Sequence, residues 1–150
     1  IKREKNLNTE KYQDLCDKII ERGQYAHWRQ TYKGTAVSSH FLSHFGCYCL
    51  IGVSGPYNSN SMRAWIVYMP SKLYYPWHQH PAEELYFCLA GEATFKADGK
   101  DDIILCEGGV SEHNSNQPHA MQTDEKPVLA YVIWRNGFEV LPELTHHDAT

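Results

Sequence analysis

Long apolar runs, basic clusters and paired cysteines are all scarce in this chain, and each scarcity removes a class of function. No apolar run approaches the roughly 20 residues that a membrane-crossing helix needs, and the opening IKREKNLNTEKY has no apolar signal core. A membrane span is therefore not expected. Lys and Arg number 14 against 18 Asp and Glu, for a net charge of -4. Nowhere do they collect densely enough to follow a phosphate backbone, which argues against nucleic acid as a partner. Cys16, Cys47, Cys49, Cys88 and Cys106 are odd in number and widely spread, with no C-x-x-C pair. That suits neither a disulfide framework nor a thiolate zinc site, and buried free thiols in a reducing compartment are the expectation. The chain begins with Ile rather than Met, which leaves open a removed signal or domain.

What is present is enough for one core: 150 residues, 42% of them apolar and 13% aromatic, fit a single domain. Between residues 9 and 22, Tyr12, Leu15, Cys16, Ile19 and Ile20 recur at helical spacing, with Thr9 placed to cap and Gly23 to stop. This predicts an amphipathic helix. Residues 24–45 mix aromatics and histidines without clear period and are read as a short helical or irregular stretch. After Gly46 the runs 47–53, 62–69, 84–89, 92–97, 102–106 and 128–134 are rich in β-branched and aromatic residues. Ser54-Gly55-Pro56, Ala90-Gly91, Asp98-Gly99 and Glu107-Gly108-Gly109 separate them as turns. Strands at this spacing with no helices between them indicate an antiparallel barrel or sandwich. The expected organisation is a helical segment, 1–45, packed on a β-barrel, 46–150, as one domain. An apolar barrel edge and the helix would also suit a homodimer.

Residues 77–86 hold two histidines, two carboxylates and a tyrosine. On a strand, His78, His80, Glu84, Tyr86 and Cys88 share one face, while Leu85, Phe87 and Leu89 take the other. Pro81 interrupts the strand, so parity is suggestive rather than binding across that gap. A polar row inside a barrel must be satisfied, because buried imidazoles and carboxylates are costly unless paired or coordinated. A divalent ion does this, and nitrogen with carboxylate oxygen suits zinc, iron, manganese, nickel or copper. A hydrogen-bonded cluster would account for H-x-H alone; Glu84 at its spacing tips the reading to metal.

The run His78-x-His80-x-x-x-Glu84 with Gly91 beyond it resembles the first motif of the cupins, and Pro118-His119 resembles the core of the second. The resemblance implies an all-β cupin-type antiparallel barrel, a double-stranded β-helix. It also implies that His78, His80, Glu84 and His119 hold one metal in its lumen. The second motif is degenerate: Glu107-Gly108-Gly109 replaces the usual proline-glycine turn, and Asp124 stands near the place of the closing asparagine. His113 is therefore a rival fourth ligand, with Pro118 favouring His119. His27, His40, His44, His146 and His147 are read as ordinary surface or core histidines.

Tyr86 two residues after Glu84, Tyr75 five before His80 and Trp134 fifteen after His119 narrow the resemblance. Over residues 62–137 the chain looks like the dimethylsulfoniopropionate (DMSP) lyases of the cupin superfamily. This implies one divalent transition metal (Fe, Zn, Mn or Ni), a small zwitterionic sulfonium substrate and a place in the bacterial cytoplasm. Three neutral histidines and one glutamate around a divalent ion leave a net charge near +1, suited to a substrate carboxylate. Tyr86 is the first candidate for the base that takes the α-proton, and Tyr75 the second. Trp134, Tyr75, Trp65, Tyr68 and Phe95 are candidates to face the sulfonium, which offers no hydrogen to donate and is held mainly by cation–π contact. Arg63 and Arg135 are candidate carboxylate partners with a surface role as the plainer reading. Two other functions stay open: an iron-dependent cupin dioxygenase, and a non-catalytic cupin that binds a metabolite.

Overall fold

The structure, a computed structural model, describes residues 4, 6–29 and 31–145. His146 and His147 lie outside the described residues. Two helices, α1 (Gln13–Gly23) and α2 (Ser39–His44), precede nine strands: β1 (Gly46–Ile51), β2 (Arg63–Met69), β3 (Tyr74–Gln79), β4 (Glu83–Ala97), β5 (Ile103–Cys106), β6 (Val110–His113), β7 (His119–Gln122), β8 (Val128–Arg135) and β9 (Glu143–Leu144). The expected all-β fold with an N-terminal helix is what the chain adopts. No helix among the described residues is long and apolar enough to cross a membrane.

All strand pairs are antiparallel, in the order β1-β2-β8-β4-β7-β3-β9, with β5 and β6 also pairing β4. β4 is the strand that joins the two halves of this sheet. Its first half pairs β6 and β8, its second half β5 and β7. Ala90-Gly91, expected as a turn, instead lies inside this 15-residue strand. Gly91 has φ +77°, and the register with β8 shifts between Cys88 and Ala90. A β-bulge there bends the strand from one half of the sheet to the other without ending it. Glycine is required twice over: a Cβ at position 91 would sit 1.8 Å from the Pro127 carbonyl oxygen, and L side chains rarely adopt that φ.

Strand parity sorts the core as the sequence suggests. Tyr86 and Cys88 point into the inner cluster with Val67, Met69, Met121 and Val132, whereas Phe87 and Leu89 join an outer cluster with Ile66 and Leu129. α1 covers the outer cluster through Cys16, Ile19 and Ile20, and the ring of Tyr12, just before the helix, meets Phe87 edge-on at 5.4 Å. Leu15, expected on the buried face, is 47% exposed. The helix also starts later than expected. The Thr9 hydroxyl accepts the Tyr12 amide at 3.1 Å, capping the turn before α1, and the Glu107 carboxylate accepts the amides of Glu10 and Lys11. Those bonds hold residues 10–12 as bends outside the helix.

Candidate metal centre

Sheet register gathers the ligand-type residues. His78 on β3 stands opposite His119 on β7, while Glu84 on β4 is flanked by His113 on β6 and by Trp134 on β8. His80 follows directly after β3. These side chains are almost wholly buried: His78, His80 and His119 are 2% exposed, His113 3% and Glu84 5%. Ligand atoms of His78, His80 and His119 lie within 4.8 Å of one another, and so do those of Glu84, His113 and His119.

Hydrogen bonds divide the four histidines into two kinds. Nδ1 of His78 contacts the Pro76 carbonyl at 2.8 Å, that of His80 the Ala82 carbonyl at 3.0 Å, and that of His119 the Gln117 carbonyl at 2.8 Å. A carbonyl only accepts, so each Nδ1 carries the proton and each Nε2 presents a lone pair. The Nε2 atoms of His80 and His119 are buried with no hydrogen-bond partner among the described residues. His119 Nε2 faces Glu84 Oε2 at 3.0 Å, and His80 Nε2 faces Oε1 at 3.6 Å. When these rings are neutral, their lone pairs and the carboxylate are acceptors facing acceptors, an arrangement that a cation between them satisfies. His113 is of the other kind, with Nδ1 2.9 Å from Glu84 Oε2 and Nε2 3.1 Å from the Ser111 hydroxyl.

Electrostatics fit a cation site. Burial holds the His78 imidazole well below its ordinary pKa, and nearby His119 lowers it further; burial also lowers His113, against the opposing pull of Glu84. For Glu84, burial pushes upward, but nearby His119 and the hydrogen bond from His113 hold the carboxyl well below its ordinary range. A charged Glu84 carboxylate beside the His78 and His113 rings, which burial disfavours in their charged form, suits a bound cation.

A cavity of about 510 Å³ opens beside this cluster, lined among others by Tyr75, Tyr86, Glu84, Trp65 and Trp134. Trp134 packs on His80 at 4.2 Å between ring centres and donates its indole N–H to Glu84 Oε1 at 2.6 Å. Tyr75 stacks on His78 at 4.1 Å with rings 7° from parallel, and its hydroxyl is 2.9 Å from that of Tyr32. Burial raises both Tyr75 and Tyr86 well above the ordinary phenol pKa, with Tyr32 adding to the rise at Tyr75 and Glu84 at Tyr86. One face of Trp65 carries the Arg29 guanidinium, 4.6 Å from the ring centre.

Two of the aromatic candidates lie off the cavity wall. Phe95 is buried behind Tyr86, 5.2 Å between ring centres. Tyr68 follows Val67 on β2, so alternation turns it to the outer face, where its hydroxyl donates to Glu4. Arg63 lines the cavity and donates to the carbonyls of Ser59 and Met62, whereas Arg135 pairs with Glu83 on the surface. Tyr32, Arg29 and Phe45 were not singled out by sequence and His27 was read as an ordinary histidine, yet they reach the cavity or its tyrosines from the aperiodic segment before β1. No local pattern marks them, because only the tertiary fold brings that segment over the barrel mouth. Cys47 also lines the cavity, with its thiol pushed up to about 12, chiefly by burial.

Comparison with known proteins agrees with this geometry. A sequence model of the dimethylsulfoniopropionate lyase family matches residues 3–130. The DMSP lyase DddQ of Ruegeria pomeroyi is 46% identical over 143 residues, spanning 95% of this chain and 71% of the relative. Its crystal structure superposes with a TM-score of 0.93 at 46% identity, covering 96% of this chain and 73% of that one. A further solved structure, from work on the DMSP lyases RdDddP and RnDddQII, gives a TM-score of 0.90 at 33% identity over 96% of this chain and 74% of that one. A cupin-like protein of Thermotoga maritima, 18% identical with a TM-score of 0.60, covers 73% of this chain and 82% of its own and supports the fold alone. On this footing the chain belongs to the dimethylsulfoniopropionate lyase family, built on the cupin fold.

Proposed function

We propose that this chain cleaves DMSP into dimethyl sulfide and acrylate by β-elimination at the cavity, with His78, His80, Glu84 and His119 holding one divalent transition metal ion. The observation that carries this is the set of three imidazoles with Nδ1 on backbone carbonyls and ligand atoms within 4.8 Å of one another, two of which, His80 and His119, face the buried Glu84 carboxylate. The ion, when bound, supplies positive charge for the substrate carboxylate and for the enolate-like charge that develops on it.

Tyr86 is the base in this reading. It lines the cavity two residues from Glu84 on the same strand face. The Tyr75 hydroxyl is already engaged by Tyr32, and its ring is stacked on His78, which suits a wall better than a base. In its phenolate form, which the positive charge of a bound ion would favour against the upward push of burial, Tyr86 takes the α-proton and becomes a phenol. The electrons of that C–H bond form the carbon–carbon double bond, and the C–S bond breaks with its pair on sulfur. Dimethyl sulfide leaves neutral and acrylate keeps the carboxylate. Trp134 and the uncovered part of Trp65 offer ring faces to the sulfonium.

Purified protein supplied in turn with iron, manganese, zinc and nickel is mixed with DMSP under nitrogen, and headspace dimethyl sulfide is measured. Gas that stops on chelation is expected; no gas with any metal overturns the lyase reading, and a requirement for oxygen points to the dioxygenase. Tyr86→Phe is expected to keep its metal and lose about 10²–10⁴-fold in rate, the span of general base catalysis.

A further inference from the structure

Glu84 is the only carboxylate in the described metal groupings, and the sheet holds it from both sides. Each of its oxygens has two lone pairs. Trp134 Nε1 donates to Oε1 at 2.6 Å, and His113 Nδ1 lies 2.9 Å from Oε2. Because a carboxylate only accepts, the proton of that second bond is on His113 Nδ1. The neutral ring then presents a lone pair at Nε2, where the Ser111 hydroxyl is 3.1 Å away and donates. Ser111 is two residues before His113 on β6 and is itself 8% exposed, so this partner is fixed by the strand rather than by a mobile side chain. The His113 ring also lies flat against His119, 4.1 Å between centres and 19° from parallel.

We infer that Ser111 and His113 form a positioning pair for Glu84: the serine fixes the imidazole tautomer, and the imidazole fixes the plane of the carboxylate. The inference rests on the reading of Glu84 as a metal ligand and goes beyond it, because it removes His113 from the ligand set and gives it a different task. Both His113 nitrogens are spent inside the protein, whereas His80 and His119 each keep a buried Nε2 without a hydrogen-bond partner among the described residues. With one lone pair on each oxygen taken by Trp134 and His113, the remaining pairs are left to the side where His80 and His119 converge. Partners of this sort around metal ligands typically set affinity by 10–100-fold.

The test measures Co²⁺ affinity against a chromophoric chelator, together with the visible absorption of the Co²⁺-loaded protein, on the whole chain. His113→Leu is expected to bind one Co²⁺ at saturation with affinity weakened about 10–100-fold and a shifted visible band. His113→Asn, whose amide N–H stands about where Nδ1 stood, is expected to recover most of both. Ser111→Ala is expected to fall between wild type and His113→Leu. An unchanged affinity and band in a folded His113→Leu overturns the pair, and so does failure to reach one Co²⁺ at any concentration, which makes His113 a ligand. If His113→Leu does not fold, Ser111→Ala decides on the same two readouts. Tight wild-type binding with unchanged variants defeats this inference alone; a wild-type chain that binds no Co²⁺ defeats the metal reading and this inference with it.

Discussion

An imidazole with one nitrogen on a backbone carbonyl and the other facing its neighbours is placed to serve as a ligand in the proposed site; with both nitrogens engaged it is placed to serve as a brace. His78, His80 and His119 are of the first kind and His113 of the second. The dense spacing of His78, His80 and Glu84 made that trio legible in sequence. The role of His113 was not, because it depends on β6 lying beside β4, a contact between residues 29 apart. A pH dependence follows. His78 and His113 have folded pKa values below their ordinary 6.5, so below that pH the unfolded chain takes up protons that the folded chain refuses. Glu84, held below its ordinary 4.5, adds stability that is present above that value and lost as pH falls towards its folded pKa. Acid therefore favours unfolding on both counts. Urea titration of the metal-stripped protein from pH 8 to 5 should show stability constant at first, then falling below about 6.5 with a slope approaching about 1.4 kcal/mol per pH unit for each histidine.

At the scale of elements, the sequence found the strands with β-branched and aromatic residues between clear turn signals and missed those made of other material. β3, with Pro76, Trp77 and two polar residues, reads as a ligand motif before it reads as a strand; β6, β7 and β9 have four residues or fewer. All four are held by pairing with distant strands rather than by their own propensity. Ala90-Gly91 misled for the opposite reason. Its chemistry is that of a turn, but β4 pairs β8 up to Gly91 and β5 and β7 beyond it, so the glycine serves a bulge in a strand that continues. Gly91→Ala meets both a disfavoured φ and the Pro127 carbonyl. A loss of about 2–4 kcal/mol is expected in chemical denaturation. Because the bulge aims both halves of β4, metal affinity in the folded fraction should fall as well.

On the scale of the whole molecule, the chain does not divide into a barrel that acts and a helical segment that decorates it. His27, Arg29 and Phe45 come from the stretch before β1, yet they line the same cavity as Glu84 and Tyr86. The proposed reaction also makes that cavity the birthplace of an electrophile, since acrylate adds to thiolates at its β-carbon. Cys47 lines the wall, but burial pushes its thiol up to about 12, which keeps it in the unreactive protonated form near neutral pH. Cys106 is exposed on the far side of this protection. Peptide mass spectrometry after prolonged turnover should find carboxyethyl adducts on Cys106 well before Cys47. Burial that looks like ordinary core packing is thus expected to act as chemical armour for Cys47 against the product of the proposed reaction.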